Sequence, residues 1–183
     1  RFGDDPIRST YLVSMADFVA VHAPTYVNKY DTTEDLKDGG IYLLNCPWSA
    51  DELENRLPAK MKRDLYHKHA QFYIIDAAKI AGEIGLGKRT NNILQAAFFA
   101  LTKVIPLDVA VEDMKKNNYN SYFKKAGQKI VDMNNEAVDR GVDAAVRVEI
   151  PESWANASDE PAEARQTTPF VRDIVLPMDR QQG

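Results

Sequence analysis

Three short apolar runs divide the first half of the chain: 17–22 (Asp-Phe-Val-Ala-Val-His), 41–45 (Ile-Tyr-Leu-Leu-Asn) and 72–76 (Phe-Tyr-Ile-Ile-Asp). Each is continuous rather than alternating, the pattern of a strand covered on both faces. Residues 7–13 offer a further strand. Helix signals stand between the runs. Ser49-Ala50-Asp51-Glu52 has the form of a capping box, with Trp48 and Leu53 at the spacing of a hydrophobic staple. Asp31-Thr32-Thr33-Glu34 offers a similar start to a short helix ending near Asp38-Gly39-Gly40. Strands separated by such helices read as βαβ units and predict a mostly parallel sheet with right-handed crossovers. Ligands of such sheets bind beyond the C-terminal strand ends. Those ends carry His22, Asn45-Cys46-Pro47-Trp48 and Asp76.

The second half reads as helical. Residues 91–104 are apolar nearly all round and predict a helix buried on most sides. Further helices are expected over 107–116, introduced by Pro106, then over 120–133 and 135–146. In the last, Val138, Val142 and Val146 recur every four residues as one stripe. Beyond Pro151 the pattern lapses. Residues 156–168 are small and polar and read as a linker, and the apolar run 170–175 opens something the chain does not finish. The fold class expected is α/β: a three-layer α/β/α arrangement with a mostly parallel sheet, followed by helices and an extended C-terminal linker. The division expected is an α/β domain over 1–155, its N-terminal part missing, and a linker with the start of the next domain over 156–183.

Composition narrows the possibilities. Of 183 residues, 44% are apolar and 27% charged, which is the balance of a soluble globular protein, and the net charge of −4 argues against nucleic acid or an anionic membrane as partner. Nothing at the start resembles a signal peptide, and a cytoplasmic setting is expected. The chain opens at Arg1 in mid-pattern and reads as cut from something longer. One cysteine, Cys46, forms no internal disulfide and cannot by itself hold an iron–sulfur cluster or structural zinc. His67 and His69, two apart on an expected helix, point different ways and read as solvent-facing.

The candidate chemistry gathers at Gly85-Leu86-Gly87-Lys88-Arg89, which leads into the helix beginning at Asn91. Glycines allow close backbone approach, and a helix start offers free N–H groups and positive potential beside Lys88 and Arg89, which suits a phosphate. The same residues also read as a helix cap with solvated cations. Asn91, Asn92 and Gln95 add amides within one and a half turns, Asn92 and Gln95 sharing a face, and each needs a structural partner or a ligand. Cys46 reads as an ordinary buried thiol, His22 as a satisfied core histidine, and Asp76 as a helix cap. Arg1, Arg8, Ser9 and Thr10 suit either a crevice or a surface loop.

Several stretches in order resemble one family: Arg1-Phe2-Gly3-x-x-Pro6-Ile7-Arg8-Ser9-Thr10-Tyr11, Leu43-Leu44-Asn45-Cys46-Pro47-Trp48, Asp76-Ala77-x-Lys79-Ile80-Ala81, Gly85-Leu86-Gly87-x-Arg89-x-Asn91, Asn134-x-x-Ala137-Val138-Asp139-Arg140-Gly141 and Val148-x-Ile150-Pro151-x-Ser153-Trp154. Together they resemble the γ-type domain of pyruvate:ferredoxin (flavodoxin) oxidoreductases, and Pro169-Phe170-Val171-x-x-Ile174-x-x-Pro177-Met178 resembles the passage into the next domain. The resemblance implies a parent enzyme converting pyruvate and coenzyme A to acetyl-CoA and carbon dioxide, with electrons passing to ferredoxin or flavodoxin. It implies thiamine diphosphate with magnesium and 4Fe–4S clusters on other domains, and a homodimer as the full enzyme. The γ-type domain is associated with coenzyme A and site closure. Lys88, Arg89, Asn91, Asn92 and Gln95 are accordingly expected as coenzyme A contacts, with Arg89 as charge partner. No catalytic residue is assigned, and the piece alone is not expected to be active. The family's domain begins earlier, with a glycine-rich turn and strand that would precede Arg1. Two other readings stand beside this one. One is a structural module that holds neighbouring domains and binds nothing small; the other is a relative serving another 2-oxoacid or a fused flavin module.

Overall fold

The computed structural model describes residues 13–158. One sheet has the order β1-β2-β3-β4, with β1 Ala16–Val21, β2 Leu36–Asn45, β3 Gln71–Ile75 and β4 Val146–Arg147. The first three strands run parallel, and β4 joins β3 antiparallel. The helices are α1 Leu53–Arg56, α2 Ala59–His67, α3 Ala77–Ile84, α4 Asn91–Thr102, α5 Leu107–Ala126 and α6 Gln128–Val142.

Side-chain alternation explains the layers. Tyr42 pairs with Phe72 and Leu44 with Ile74, and these four project to one face with Leu53, Met61, Leu65 and Trp154. Leu43, Tyr73 and Ile75 project to the other, against Ala77, Ala81, Ile93, Leu94, Ala97 and Ala137 of α3, α4 and α6. Helices thus cover both faces of a mostly parallel sheet, as the apolar runs predict. The long α5 packs on α4 and α6, with Met114 meeting Ala96 and Val138. No helix among the described residues is long and apolar enough to cross a membrane.

The chain leaves β2 and β3 in opposite directions. After β2 it turns through Ala50–Glu52 to α1 and α2 on the first face; after β3 it enters α3 on the second. Glu52 accepts the Ser49 backbone N–H at 2.9 Å, the local pairing that its spacing announces. Leu53 is fully buried and Trp48 packs against the same cluster.

Several expectations are corrected. No helix starts at Asp31. Its carboxylate instead accepts the Thr33 N–H, while Thr33 Oγ1 donates to Asp64 at 2.7 Å, so the hydroxyl is committed to a distant helix. The β1–β2 connection carries a short 3-10 turn at Pro24–Asn28. Asp38-Gly39-Gly40 end no helix; they lie inside β2, where the pairing jumps from Ala16↔Leu36 to Phe18↔Ile41. Gly39 has φ +70 there, a value that suits glycine. The three helices expected over 107–146 are two, because the polar run at 117–120 stays helical and the break falls at Gly127 (φ 78, ψ 176), which ends α5 and starts α6. Val146 leaves the valine stripe: it lies in β4 and is exposed. The helix from Asn91 buries Ile93, Leu94, Ala96 and Ala97 but ends at Thr102, with Lys103 left-handed at φ 51. Its Asn91 and Gln95 are exposed, so it is apolar without being enclosed. The strand expected at 7–13 lies, Val13 apart, outside the described residues, as does the run at 170–175 and all but the first three residues of the linker at 156–168.

Candidate functional site

The strand ends meet as the parallel reading requires. Asn45, last in β2, donates its Nδ2 to the His22 carbonyl at 2.9 Å and accepts the Ala77 N–H on Oδ1 at 3.0 Å. One amide therefore ties the end of β1 to the first turn of α3. Asp76 caps that turn, its Oδ1 accepting the Lys79 N–H at 2.9 Å. His22 is exposed, which corrects the expectation of a core histidine, while its carbonyl accepts from Asn45.

The glycine loop divides its work. Gly85 has φ +91; its N–H reaches the Gly82 carbonyl, and the Leu86 N–H reaches that of Ala81 at 2.8 Å. That pair of bonds is a Schellman motif, so Gly85 closes α3. The chain turns again between Leu86 and Arg89, whose N–H bonds to the Leu86 carbonyl across Gly87 at φ +62. Lys88 and Arg89 are exposed on this turn. Thr90 provides no side-chain cap for α4.

The amides of α4 part company. Asn91 and Gln95 line a cavity of about 260 Å³ with His22, Phe18, Ala20, Leu43, Leu94 and Phe98. Its walls are mainly apolar, with two amides and an imidazole at the border. Asn92 faces the helical layer instead. Its Nδ2 donates to Asn134 Oδ1 at 2.8 Å and to Asn118 Oδ1 at 3.1 Å, which uses both N–H groups. Gln95 also borders a smaller hollow of about 220 Å³ on Asn92's side. Asn45, Asn118 and Asn134 order this region from outside the predicted set. A strand-end asparagine, and amides within otherwise amphipathic helices, are the signals that point to them.

A second hollow, about 470 Å³, lies beyond β2 and β3 and is lined by Cys46, Trp48, Asp76, Lys79, Ile80, Arg140 and Val146 among others. Arg140 pairs there with Glu83. Burial pushes the Cys46 thiol above its ordinary range against the Trp48 backbone N–H, with the Asp76 and Glu52 charges adding to the rise, and the cysteine stands as a buried wall group. His67 and His69 are both exposed, and His69 Nδ1 lies 2.8 Å from Asp38. Among the described residues no group of three or more His, Cys, Asp or Glu is placed to hold a metal ion.

Residues 1–144 match the family described as pyruvate ferredoxin/flavodoxin oxidoreductase. The chain is 46% identical over 183 residues to the pyruvate-flavodoxin oxidoreductase of Enterobacter agglomerans, and 47% identical over 184 residues to the pyruvate:ferredoxin oxidoreductase of Moorella thermoacetica. Each match covers 100% of this chain and 16% of the relative, so the chain spans about a sixth of the proteins it matches. A pyruvate dehydrogenase (NADP(+)) of Cryptosporidium parvum is 45% identical over 154 residues, covering 84% of this chain and 8% of that protein. The crystal structure of pyruvate oxidoreductase subunit PORC from Thermotoga maritima shares the fold, with a TM-score of 0.58 at 21% identity over 75% of this chain and 67% of that one.

Proposed function

Since the chain belongs to the pyruvate ferredoxin/flavodoxin oxidoreductase family, we propose that it serves a longer enzyme that oxidises pyruvate with coenzyme A, and that its own part is to hold coenzyme A and help close the site. The reaction takes pyruvate and coenzyme A to acetyl-CoA, carbon dioxide and one proton, releasing two electrons to ferredoxin or flavodoxin. The observation that carries this reading is identity of 46% and 47%, over the whole chain, to relatives of those names. We place residues 1–155 in the α/β domain and 156–183 in the passage to the next. Thiamine diphosphate with magnesium and 4Fe–4S clusters are assigned to other parts of the longer protein. The parent is taken to be a cytoplasmic homodimer.

The residues on α4 and its preceding turn fit a coenzyme A arm. The cavity beside Asn91 and Gln95 is too small for the whole molecule. It suits a slender chain bearing amides, which is the chemistry of the pantetheine arm. The exposed cations Lys88 and Arg89 precede α4 in the sequence, at a helix start, and suit the phosphates. Asn91 and Gln95 act as direct amide partners. Asn92 contributes by holding the helix, its two N–H groups being engaged by Asn118 and Asn134.

Arg89→Ala in the intact oxidoreductase tests the site. Loss of a charge-assisted bond to phosphate raises the KM for coenzyme A roughly tenfold or more. An unchanged KM favours the structural module, in which these helices only hold neighbouring domains.

A further inference from the structure

We propose that Asn118 of α5 and Asn134 of α6 are positioning residues for the coenzyme A contact, acting through Asn92 on the first turn of α4. This rests on the reading above. Both are almost fully buried, at 2% and 3% exposure, in a layer otherwise closed by apolar side chains. In each of these two amides the oxygen accepts and the nitrogen donates. Asn92 Nδ2 donates to Asn134 Oδ1 and Asn118 Oδ1, Asn118 Nδ2 donates to Asn135 Oδ1 at 3.1 Å, and Asn134 Nδ2 donates to the Ile130 carbonyl at 2.8 Å.

Apolar contacts fix how close helices lie but discriminate weakly between neighbouring rotations. Buried amides discriminate strongly, because a shift that separates donor from acceptor leaves both unpaired in a low-dielectric interior. Asn92 is adjacent to Asn91 and three residues before Gln95, so its orientation dictates theirs. Held at one point by α5 and at another by α6, it cannot turn about the α4 axis. Asn91 and Gln95 therefore keep their places on the wall of the cavity they share with His22. Leucines in these places would fill the space but would not set the angle.

The test uses the intact oxidoreductase. Asn118→Leu keeps the branched shape with somewhat more bulk and removes one acceptor from Asn92. The KM for coenzyme A is expected to rise about tenfold while the KM for the 2-oxoacid changes by less than about twofold. A lowered melting temperature with an unchanged coenzyme A KM overturns the positioning role, because the amides then only stabilise. Arg89→Ala, assayed alongside, separates the two claims. If Arg89→Ala weakens coenzyme A and Asn118→Leu does not, the relay fails and the binding site stands; if Arg89→Ala has no effect, the binding reading itself fails. Should Asn118→Leu not fold, the milder Asn135→Ala decides. It frees Asn118 on its outer side, so a coenzyme A KM raised about two- to fivefold supports the relay and an unchanged one overturns it.

Discussion

Gly141 of α6 lies against the backbone of Ile93 in α4: a Cβ built on it would stand 2.6 Å from the Ile93 carbonyl oxygen and 2.9 Å from its Cα. The obstacle is backbone, which cannot swing aside. Helix propensity alone makes Gly141→Ala favourable, by roughly 1 kcal/mol. Overpacking makes it unfavourable by about 1–3 kcal/mol, and here the clash dominates. Chemical denaturation is expected to show Gly141→Ala less stable than wild type. A gain in stability would mean that α4 and α6 pack further apart than described.

Trp154 closes the opposite face. It is 2% exposed, tilts against Phe72, and donates Nε1 to the Glu54 carboxylate. Its 3-10 turn, Glu152–Asn156, is pinned further by Arg63, which donates to the Ala157 carbonyl. Trp154→Ala removes a large buried ring and leaves a cavity, with an expected cost of about 3–5 kcal/mol. Urea titration measures it. A loss below about 1 kcal/mol would show that the 152–156 turn contributes little to the core.

Asp31 carries a pH dependence with a definite sign. Burial raises its pKa, but the Lys60 ammonium at 2.6 Å and the Thr33 N–H and hydroxyl outweigh burial and hold it below its ordinary 3.8. The carboxylate, 14% exposed, thus binds its proton more weakly in the folded chain than in the unfolded one. The stability it contributes is full above the ordinary value and is lost as pH falls through the lowered one. Lys60 is raised above 10.5 despite burial, through Asp31 and Asp64, so its contribution is full below that value and lost at more alkaline pH. Asp31→Asn is expected to lower stability at neutral pH and to flatten the acid limb of a stability–pH curve. An acid limb parallel to wild type would contradict this.

The sheet was legible because its apolar runs are short, continuous and bounded. Tyr42, Leu43 and Leu44 are buried on alternate faces, so no other placement satisfies them. Asp76 and Gly85 were legible as helix punctuation because capping is local chemistry. The expectation failed where a polar residue's partner lies far along the chain. Residues 117–119 read as a gap between helices until Asn92 and Asn135 are brought to Asn118, and Asp31-Thr32-Thr33-Glu34 reads as a helix start until Asp64 claims the Thr33 hydroxyl. Gly39 and Gly40 read equally as a helix end, because glycine serves a left-handed cap and a strand irregularity alike. Within the site, Asn91 and Gln95 share a cavity as helical spacing permits, while the inward turn of Asn92 depends on α5 and α6.

The parting of the chain to opposite faces after β2 and β3 has a consequence for engineering. The hollow between Trp48 and Ile80 is made by backbone routing, so no single side chain is responsible for it. Exchanging wall residues would refurnish it without abolishing it. The solvent-facing Ala50 and Lys79 can therefore be replaced by new reactive groups while the load of folding stays with the buried Leu44, Phe72 and Ile75.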